Sequence, residues 1–519
     1  MTARWIPSRA GALPLGLAAI AAVYLVSCFV KAWPFTVDDT YITLRYSRNL
    51  ADGLGPTFNA VGPRAEGYTT FLWMLVLAVP HRAGLDAATF AKGLGIAATL
   101  STCALVARWA WLEAENAAAS TAASTAHAGQ PLHARAWAAA AAAACFASIP
   151  ATAVHAVSGM ETALFTMLLT AMFAASADHV RGREAANRLV VCALLAGLTR
   201  PEGNLAALVV IATTARLVVP AARRALAIRA LVFWVVPMAL YELWRRHYYG
   251  LTFPLPFYVK LATPGLLPGW PDVIEWLGGT ALRFSLLVVP AFVAGPVRPP
   301  RSLRPALAAF LVLTGFFVLP QHQMGYDHRY LAPLDPTLAV LAGLGLAVLI
   351  ARRTRVAMAV AAAGLAVALG VNVAGAPGTI GGEADYGRGL AAAHVRLGRE
   401  LLALDRPSSR LVISDAGAVP YVSRWWTLDL VGLNDAHIAL SGRPDPAWVL
   451  AQRPDVVVLA SARTDRFETW DWNPWEGALY DACLAAGLVR VAVRPFAPDY
   501  WLWVMALPNS PAAHALPEY

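Results

Sequence analysis

The residues best suited to chemistry begin with an adjacent carboxylate pair, Asp38-Asp39, just beyond the first long apolar stretch. Adjacent like charges repel, which raises one pKa, and such a pair suits a general base or a metal site. Asp is also a favoured helix N-cap, and a cap for the stretch Thr40–Leu50 accounts for one of the two but not both. Arg45 and Arg48 follow at i, i+3 and would share a helix face. They could hold a phosphate near the acid pair or snorkel to lipid headgroups. The same polar segment carries Glu66 and Tyr68.

Further charges stand at the edges of apolar runs. Glu161 lies between two of them, and Glu202 lies beside Arg200; such charges are costly unless solvated or paired. Ser158-x-x-Glu161 also fits a capping box, and Arg200–Glu202 also fits a local ion pair in a broken helix. Lys260, in Phe257-Tyr258-Val259-Lys260, and Arg329, in His328-Arg329-Tyr330, add cations. An Arg fork and a Lys point charge are standard phosphate ligands, with headgroup anchoring as the plainer alternative. Nearer the C-terminus, Asp415, Asn434 and Asp435 fall at the ends of strand-like runs, where α/β sites form and where turn formers also collect. Trp425, Trp426, Trp470, Trp472, Trp475, Trp501 and Trp503 make this region aromatic, able to face sugars or fill a core.

The elements that must position these residues follow from composition. Of 519 residues 58% are hydrophobic and only 14% charged, with a mean hydropathy of +0.53. An ordinary soluble chain carries about 25% charge, so a disordered chain and a large soluble enzyme are both excluded. The net charge of +9 comes from 41 basic and 32 acidic residues, forms no single patch, and gives no basis for nucleic-acid binding. Apolar segments at 11–30, 87–107, 136–155, 160–177, 189–200, 203–219, 229–247, 277–294, 305–320, 333–351 and 356–374 predict about eleven crossings of roughly 20 residues. The first reads as a retained anchor with a cytoplasmic N-terminus. The run 71–80 is too short to cross and reads as interfacial or re-entrant. The Ala/Ser/Thr-rich stretch 113–134, with His127 and His133, reads as linker. Five cysteines without metal or redox spacing read as small hydrophobes.

With 71–80 not crossing, every alternate loop is Arg-rich: Arg108 and Arg135; Arg181, Arg183 and Arg188; Arg223, Arg224 and Arg229; Arg298, Arg301 and Arg304; Arg352, Arg353 and Arg355. The positive-inside rule puts these in the cytoplasm and the unusual polar loops outside. Residues 1–375 then form a transmembrane catalytic domain with a first outer loop at 31–86. From 376 short apolar runs at 410–414, 426–431, 455–460, 488–495 and 501–507 alternate with helical stretches. They predict an extracytoplasmic α/β domain, 376–519, with a largely parallel sheet.

Several motifs carry a resemblance that spans most of the chain. They are Asp38-Asp39-Thr-Tyr-Ile-Thr-Leu-Arg45-Tyr-Ser-Arg48-Asn49, Phe58-Asn59 and Glu66-Gly67-Tyr68 through Trp73. With them go Ser158-Gly-Met-Glu161-Thr162, Thr199-Arg200-Pro-Glu202-Gly203, Tyr249-Gly250 with Phe257-Tyr258-Val259-Lys260, Asp415-Ala-Gly417 and Asp429 through Asp435. In order and spacing they resemble bacterial membrane glycosyltransferases of the C-type fold related to the mycobacterial terminal β-(1→2) arabinofuranosyltransferase. Leu255-Pro256-Phe257 departs from the Pro-Asn-Thr-like turn of many relatives, which puts shared donor specificity there in doubt. The resemblance implies a catalytic acidic outer loop, a polyprenyl-phosphate sugar donor and a glycan acceptor.

The combined expectation is a multi-pass cytoplasmic-membrane glycosyltransferase in contact with membrane lipid. Asp38 or Asp39 is the catalytic candidate. Arg45, Arg48, Arg200, Lys260 and Arg329 are candidates for the donor phosphate. Glu66, Tyr68, Glu161, Glu202, Tyr258 and His328 would orient substrate, and Asp415, Asn434 and Asp435 would bind acceptor. No cofactor is required; a divalent metal is an open option that no ligand spacing demands. Two other classes compete: a flippase or transporter of lipid-linked sugars, which needs charges through the midplane, and a non-catalytic envelope or motility scaffold.

Overall fold

The computed structural model describes residues 9–122, 131–261, 268–293, 299–320, 324–404, 409–470, 473 and 475–516; His127, Arg298 and Trp472 lie outside them. The chain is polytopic and helical up to a small C-terminal sheet. In order the helices are α1 Arg9–Ala32, α2 Asp38–Ala51, α3 Phe71–Arg82, α4 Ala87–Ala122, α5 Pro131–Ser148, α6 Pro150–Val157, α7 Thr162–Val180, α8 Ala186–Thr199 and α9 Glu202–Leu217. There follow α10 Pro220–Ala230, α11 Val236–Tyr249, α12 Leu255–Leu261, α13 Trp270–Val288, α14 Arg304–Phe316, α15 Asp335–Arg352, α16 Arg355–Leu390 and α17 Arg396–Ala403. Backbone polar groups in hydrocarbon must be satisfied within the segment, which selects helix for each apolar run that crosses.

Each expected crossing lies on a helix. Among the described residues seven helices are long and apolar enough to cross, or eight if α5 and α6, bent by 64°, count as one. The others expected, α8, α9 and α14, have 14, 16 and 13 residues. The run 71–80 is α3, a 12-residue helix. At the centre is the segment Tyr326–Arg352, most of whose residues are buried. There α15 lies close against α5, where Gly343 meets the Ala138 carbonyl and Ala142, so a Cβ would push the helices apart. In contrast, α1 exposes Leu13, Ile20, Val23 and Val30.

The glycine-rich stretch 375–389, which begins at the expected domain boundary, is helical. The α16 helix runs through Pro377 to Leu390 and continues by a π-turn into α17, so the expected boundary at 375/376 falls inside a helix. The sheet has strands β1 Arg410–Ile413, β2 Trp426–Asp429, β3 Val456–Ser461, β4 Val489–Ala497 and β5 Tyr500–Ala506, in the order β2-β1-β3-β5-β4. β1 pairs parallel with β2 and β3, while β5 is antiparallel to β3 and β4. The sheet is thus mixed. Only Pro498-Asp499 joins β4 to β5, and so short a link closes only an antiparallel hairpin.

Side-chain alternation divides the sheet's two faces. Val412, Val457 and Leu459 face Leu479 and Cys483 of α21, Trp475–Ala485, which follows α18 Ala418–Ser423, α19 Ala436–Ser441 and α20 Pro446–Ala451. Leu411, Ile413, Val456 and Val458 face the other way, onto Ile42 and Tyr46 of α2 and Leu397 of α17. The acid-bearing helix is therefore itself part of the sheet domain's core.

Candidate active site

Neither Asp38 nor Asp39 caps α2; Val37 holds the cap position without a side-chain bond, and both acids sit in the first turn. Carboxylates are favoured there by the helix dipole. Successive residues on a helix point about 100° apart, so the pair is divided. Asp38 is buried, and its carboxylate accepts hydrogen bonds from the backbone N–H groups of Gly417 (2.9 Å) and Ala418 (2.8 Å). Any Cβ on residue 417 would overlap that carboxylate, which explains the glycine. Asp39 is 27% exposed at its side chain and lies 3.9 Å from Arg329 Nη1.

The start of α2 is pinned to the Ser158–Glu161 turn. Val37 N–H and Thr40 Oγ1 both donate to the Ser158 carbonyl, and Trp73 Nε1 donates to the Gly159 carbonyl. The expected capping box is not formed. Ser158 Oγ accepts from Met160 N–H, and the Glu161 side chain caps nothing. It lies instead 3.8 Å from Arg200 Nη1, while Arg200 Nε is 2.7 Å from Glu202. Arg200 reaches this point because it ends α8 in an extended conformation before Pro201 and α9.

Tyr330 joins the cations. Arg200 and Arg329 each lie 5.1 Å from its ring centre, and Lys260 Nζ donates to its hydroxyl at 3.0 Å. The segment before α15 is strained: Met324, Asp327 and His328 have φ of 49°, 46° and 52°. Left-handed non-glycine residues cost about 1–3 kcal/mol each and cluster at functional sites. Asp39, Glu161, Glu202, Arg200, Arg329 and Lys260 therefore converge. Among the described residues, Glu161 Oε2, Arg200 Nη1, and Arg329 Nε and Nη1 are buried without a hydrogen-bond partner. Such orphans are rare in a settled interior.

Other sequence candidates are held elsewhere. Arg45 donates to the carbonyls of Phe58, Pro420 and Trp425, to Asn59 Oδ1 and to Thr427 Oγ1, with all donors facing protein acceptors. Arg48 donates to the Tyr421 carbonyl and lies over its ring. Both join α2 to the sheet domain, away from the Tyr330 cluster. Glu66 pairs with buried Arg245 at 2.7 Å, and Tyr68 bonds Tyr249. Tyr258 OH accepts from Phe253 N–H, and His328 Nδ1 is 2.5 Å from Asp272. Asp415 is bonded by His394 (2.7 Å) and Tyr500. Asn434 is bonded to Asp429 and Tyr46, and Asp435 caps α19. Among the described residues, no group of three or more His, Cys, Asp or Glu is arranged to hold a metal. Sequence reasoning missed Tyr330 as a centre; its place beside Arg329 was the available signal.

Two tests address the α2–sheet junction. Arg45→Met strands five acceptors, and at about 1.5–3 kcal/mol per charged hydrogen bond it is expected to cost ~3 kcal/mol or more of docking stability. Faster limited proteolysis and a lower Tm would register it; an unchanged Tm would contradict it. The second test is pH. Burial pushes the Asp38 carboxyl from 3.8 to about 6, with Asp415 and Asp39 adding and His394 and the Ala418 N–H opposing. A raised folded-state pKa contributes stability that is full below the unfolded value and lost as pH rises through the folded one. Asp38's contribution should thus fade between about pH 4 and pH 6. Melting curves of Asp38→Asn should lack that portion of the slope.

Comparison with known proteins bears on the whole chain. Residues 386–503 match a family described as a domain of unknown function (DUF8728), and no curated protein matches the chain. Among solved structures, ArnT from Cupriavidus metallidurans bound to undecaprenyl phosphate is similar over 96% of this chain and 98% of its own, at a TM-score of 0.59 and 16% identity. The apo ArnT structure covers 94% and 98%, with a TM-score of 0.58 and 16% identity. At that identity the likeness concerns architecture: the chain has the C-type glycosyltransferase fold, a polytopic helical membrane domain with a C-terminal sheet domain.

Proposed function

We propose that this chain transfers a sugar from a polyprenyl-phosphate carrier to a glycan acceptor on the outer face of the cytoplasmic membrane. The observation that carries the reading is the cluster around Tyr330, where Arg200, Arg329 and Glu161 hold buried, unpartnered polar atoms beside the part-exposed Asp39. Guanidinium forks with unused donors suit a phosphate. The likeness to an ArnT bound to undecaprenyl phosphate supports the lipid carrier. An outward-facing cluster is supported by the arginines at the opposite helix ends and the positive-inside rule.

In this reading Asp39 takes the proton of the acceptor hydroxyl as its oxygen bonds the sugar's anomeric carbon. The bond from that carbon to the phosphate oxygen breaks, and the electron pair leaves with the lipid phosphate. Arg200, Arg329 and Lys260 stabilise that leaving group, while Glu161 and Glu202 orient the cations. Asp38, Arg45 and Arg48 hold α2 against the sheet domain. Acceptor contact by the sheet domain, through Asp415 and the aromatic pair Trp470–Tyr500, belongs to the same proposal. The sugar, an arabinofuranose-like pentose or another pentose or hexose, rests on the family resemblance. Deleting the gene should make a lipid-linked sugar accumulate, identified by mass spectrometry of lipid extracts. An unchanged lipid profile together with unchanged envelope glycan would overturn the reading.

A further inference from the structure

We propose that the bundle end opposite the candidate active site carries a second phosphate-binding site, built by Arg108, Arg183 and Arg188 around buried Asp178, that holds an anionic lipid headgroup. The location follows from helix lengths. Asp178 lies about 16 residues along α7 from Thr162, roughly 24 Å at 1.5 Å per residue. Arg108 stands equally far along α4 from Lys92, whose Nζ donates to the Trp33 and Phe35 carbonyls below α2. Arg188 begins α8, the helix whose other end delivers Arg200.

At that end one carboxylate collects four guanidiniums. Asp178 has a fully buried side chain and lies 2.8 Å from Arg108, 2.8 Å from Arg181, 3.1 Å from Arg188 and 3.7 Å from Arg183. Arg181 is shared with buried Glu113 at 2.7 Å, and Glu113 also accepts from Trp109 and Ser302. Four guanidiniums against these two carboxylates leave an excess of positive charge. Arg108, Arg183 and Arg188 are 41%, 45% and 57% exposed. Beyond Asp178, none of their side chains has a hydrogen-bond partner among the described residues. Arg181 Nε is also buried without a partner.

Orientation by the positive-inside rule needs basic residues but not their convergence. Fixed like charges a few ångströms apart repel, and burying the one carboxylate they share holds them together against that repulsion. Each guanidinium has five N–H donors and Asp178 takes few of them, so the free forks present a planar, multidentate phosphate site. The lipid source is favoured because α4, α7 and α8 are apolar up to this ring, which places it at the headgroup layer.

Native mass spectrometry of the full-length protein in mild detergent, supplied with phosphatidylglycerol and phosphatidylcholine, tests the site. One phosphatidylglycerol per chain should be retained in preference to phosphatidylcholine. Arg108→Gln/Arg183→Gln/Arg188→Gln should weaken that retention by about tenfold or more. Equal retention by wild type and triple variant would overturn the site. Inorganic phosphate displacing nothing supports the lipid source; binding of inorganic phosphate without lipid preference overturns it in favour of a soluble anion. Arg188→Gln alone, at the most exposed of the four, should retain the fold and show a smaller loss in the same direction. No readout here involves sugar transfer, so failure would leave the proposed function intact.

Discussion

Asp39→Asn is expected to lower sugar transfer by about 10²–10⁴-fold, the range of a lost general base, while leaving folding unchanged. Amide and carboxylate have the same shape, and among the described residues the Asp39 side chain makes no hydrogen bond that the amide would break; Arg329 lies 3.9 Å away. What the amide cannot do is accept the acceptor's proton. Asp38→Asn should behave differently. Two backbone N–H groups donate to its carboxylate oxygens, and an Asn side chain offers one acceptor and one donor. One N–H would then face another donor, a loss of about 1.5–3 kcal/mol in a charged hydrogen bond. Asp38→Asn should therefore lower Tm, and transfer measured below that Tm should fall less than in Asp39→Asn. The pair of variants, assayed for both release of polyprenyl phosphate and melting, separates chemistry from docking. Full transfer by Asp39→Asn would remove the base from the proposal.

The contrast between these neighbours marks what one-dimensional reading could reach. Every apolar run expected to cross became a helix, because period and length alone carry that information. The strands also fell where short apolar runs stood between turns. The hairpin that makes the sheet mixed joins the runs expected at 488–495 and 501–507, whose close spacing fits an antiparallel pair, whereas alternation with helical stretches points to a largely parallel sheet. Site residues were harder. Asp38, Asp39, Arg45 and Arg48 stand within eleven positions of one another, and only three-dimensional partners sort them. Arg45 meets five acceptors that come from residues 58–59 and 420–427. Nothing near Arg45 in sequence announces those carbonyls. Glu161 looked like a capping-box residue, and local sequence favoured that reading; its actual neighbour is Arg200 on another helix. Charges at apolar edges were visible, whereas their convergence on Tyr330 depends on packing that no local pattern encodes.

That convergence leads to the other large effect. Arg329→Gln is expected to lower kcat by about 10²–10³-fold, the scale of losing one preorganised electrostatic contact in a water-poor site. The loss should fall on kcat more than on KM. A phosphodiester donor carries about one negative charge, and the released lipid phosphate carries about 1.5–2 near neutral pH. A fixed cation thus gains interaction as the bond breaks, and a contact that strengthens toward the transition state appears in kcat. Arg329→Lys should recover only part, because it keeps the charge and loses the planar fork. Arg329 is a cleaner choice than Arg200. Removing Arg200 would strand Glu161 and Glu202, whose side chains are only 2% and 10% exposed, and an uncompensated buried charge costs about 3–5 kcal/mol. Lost activity there could reflect misfolding. Removing Arg329 leaves Asp39, which water reaches, while Glu161 keeps Arg200. An Arg329→Gln protein with wild-type Tm and wild-type kcat would mean that the orphaned guanidinium serves no leaving phosphate. The cluster would then be a structural ion network, and the transfer chemistry would have to be sought elsewhere in the chain.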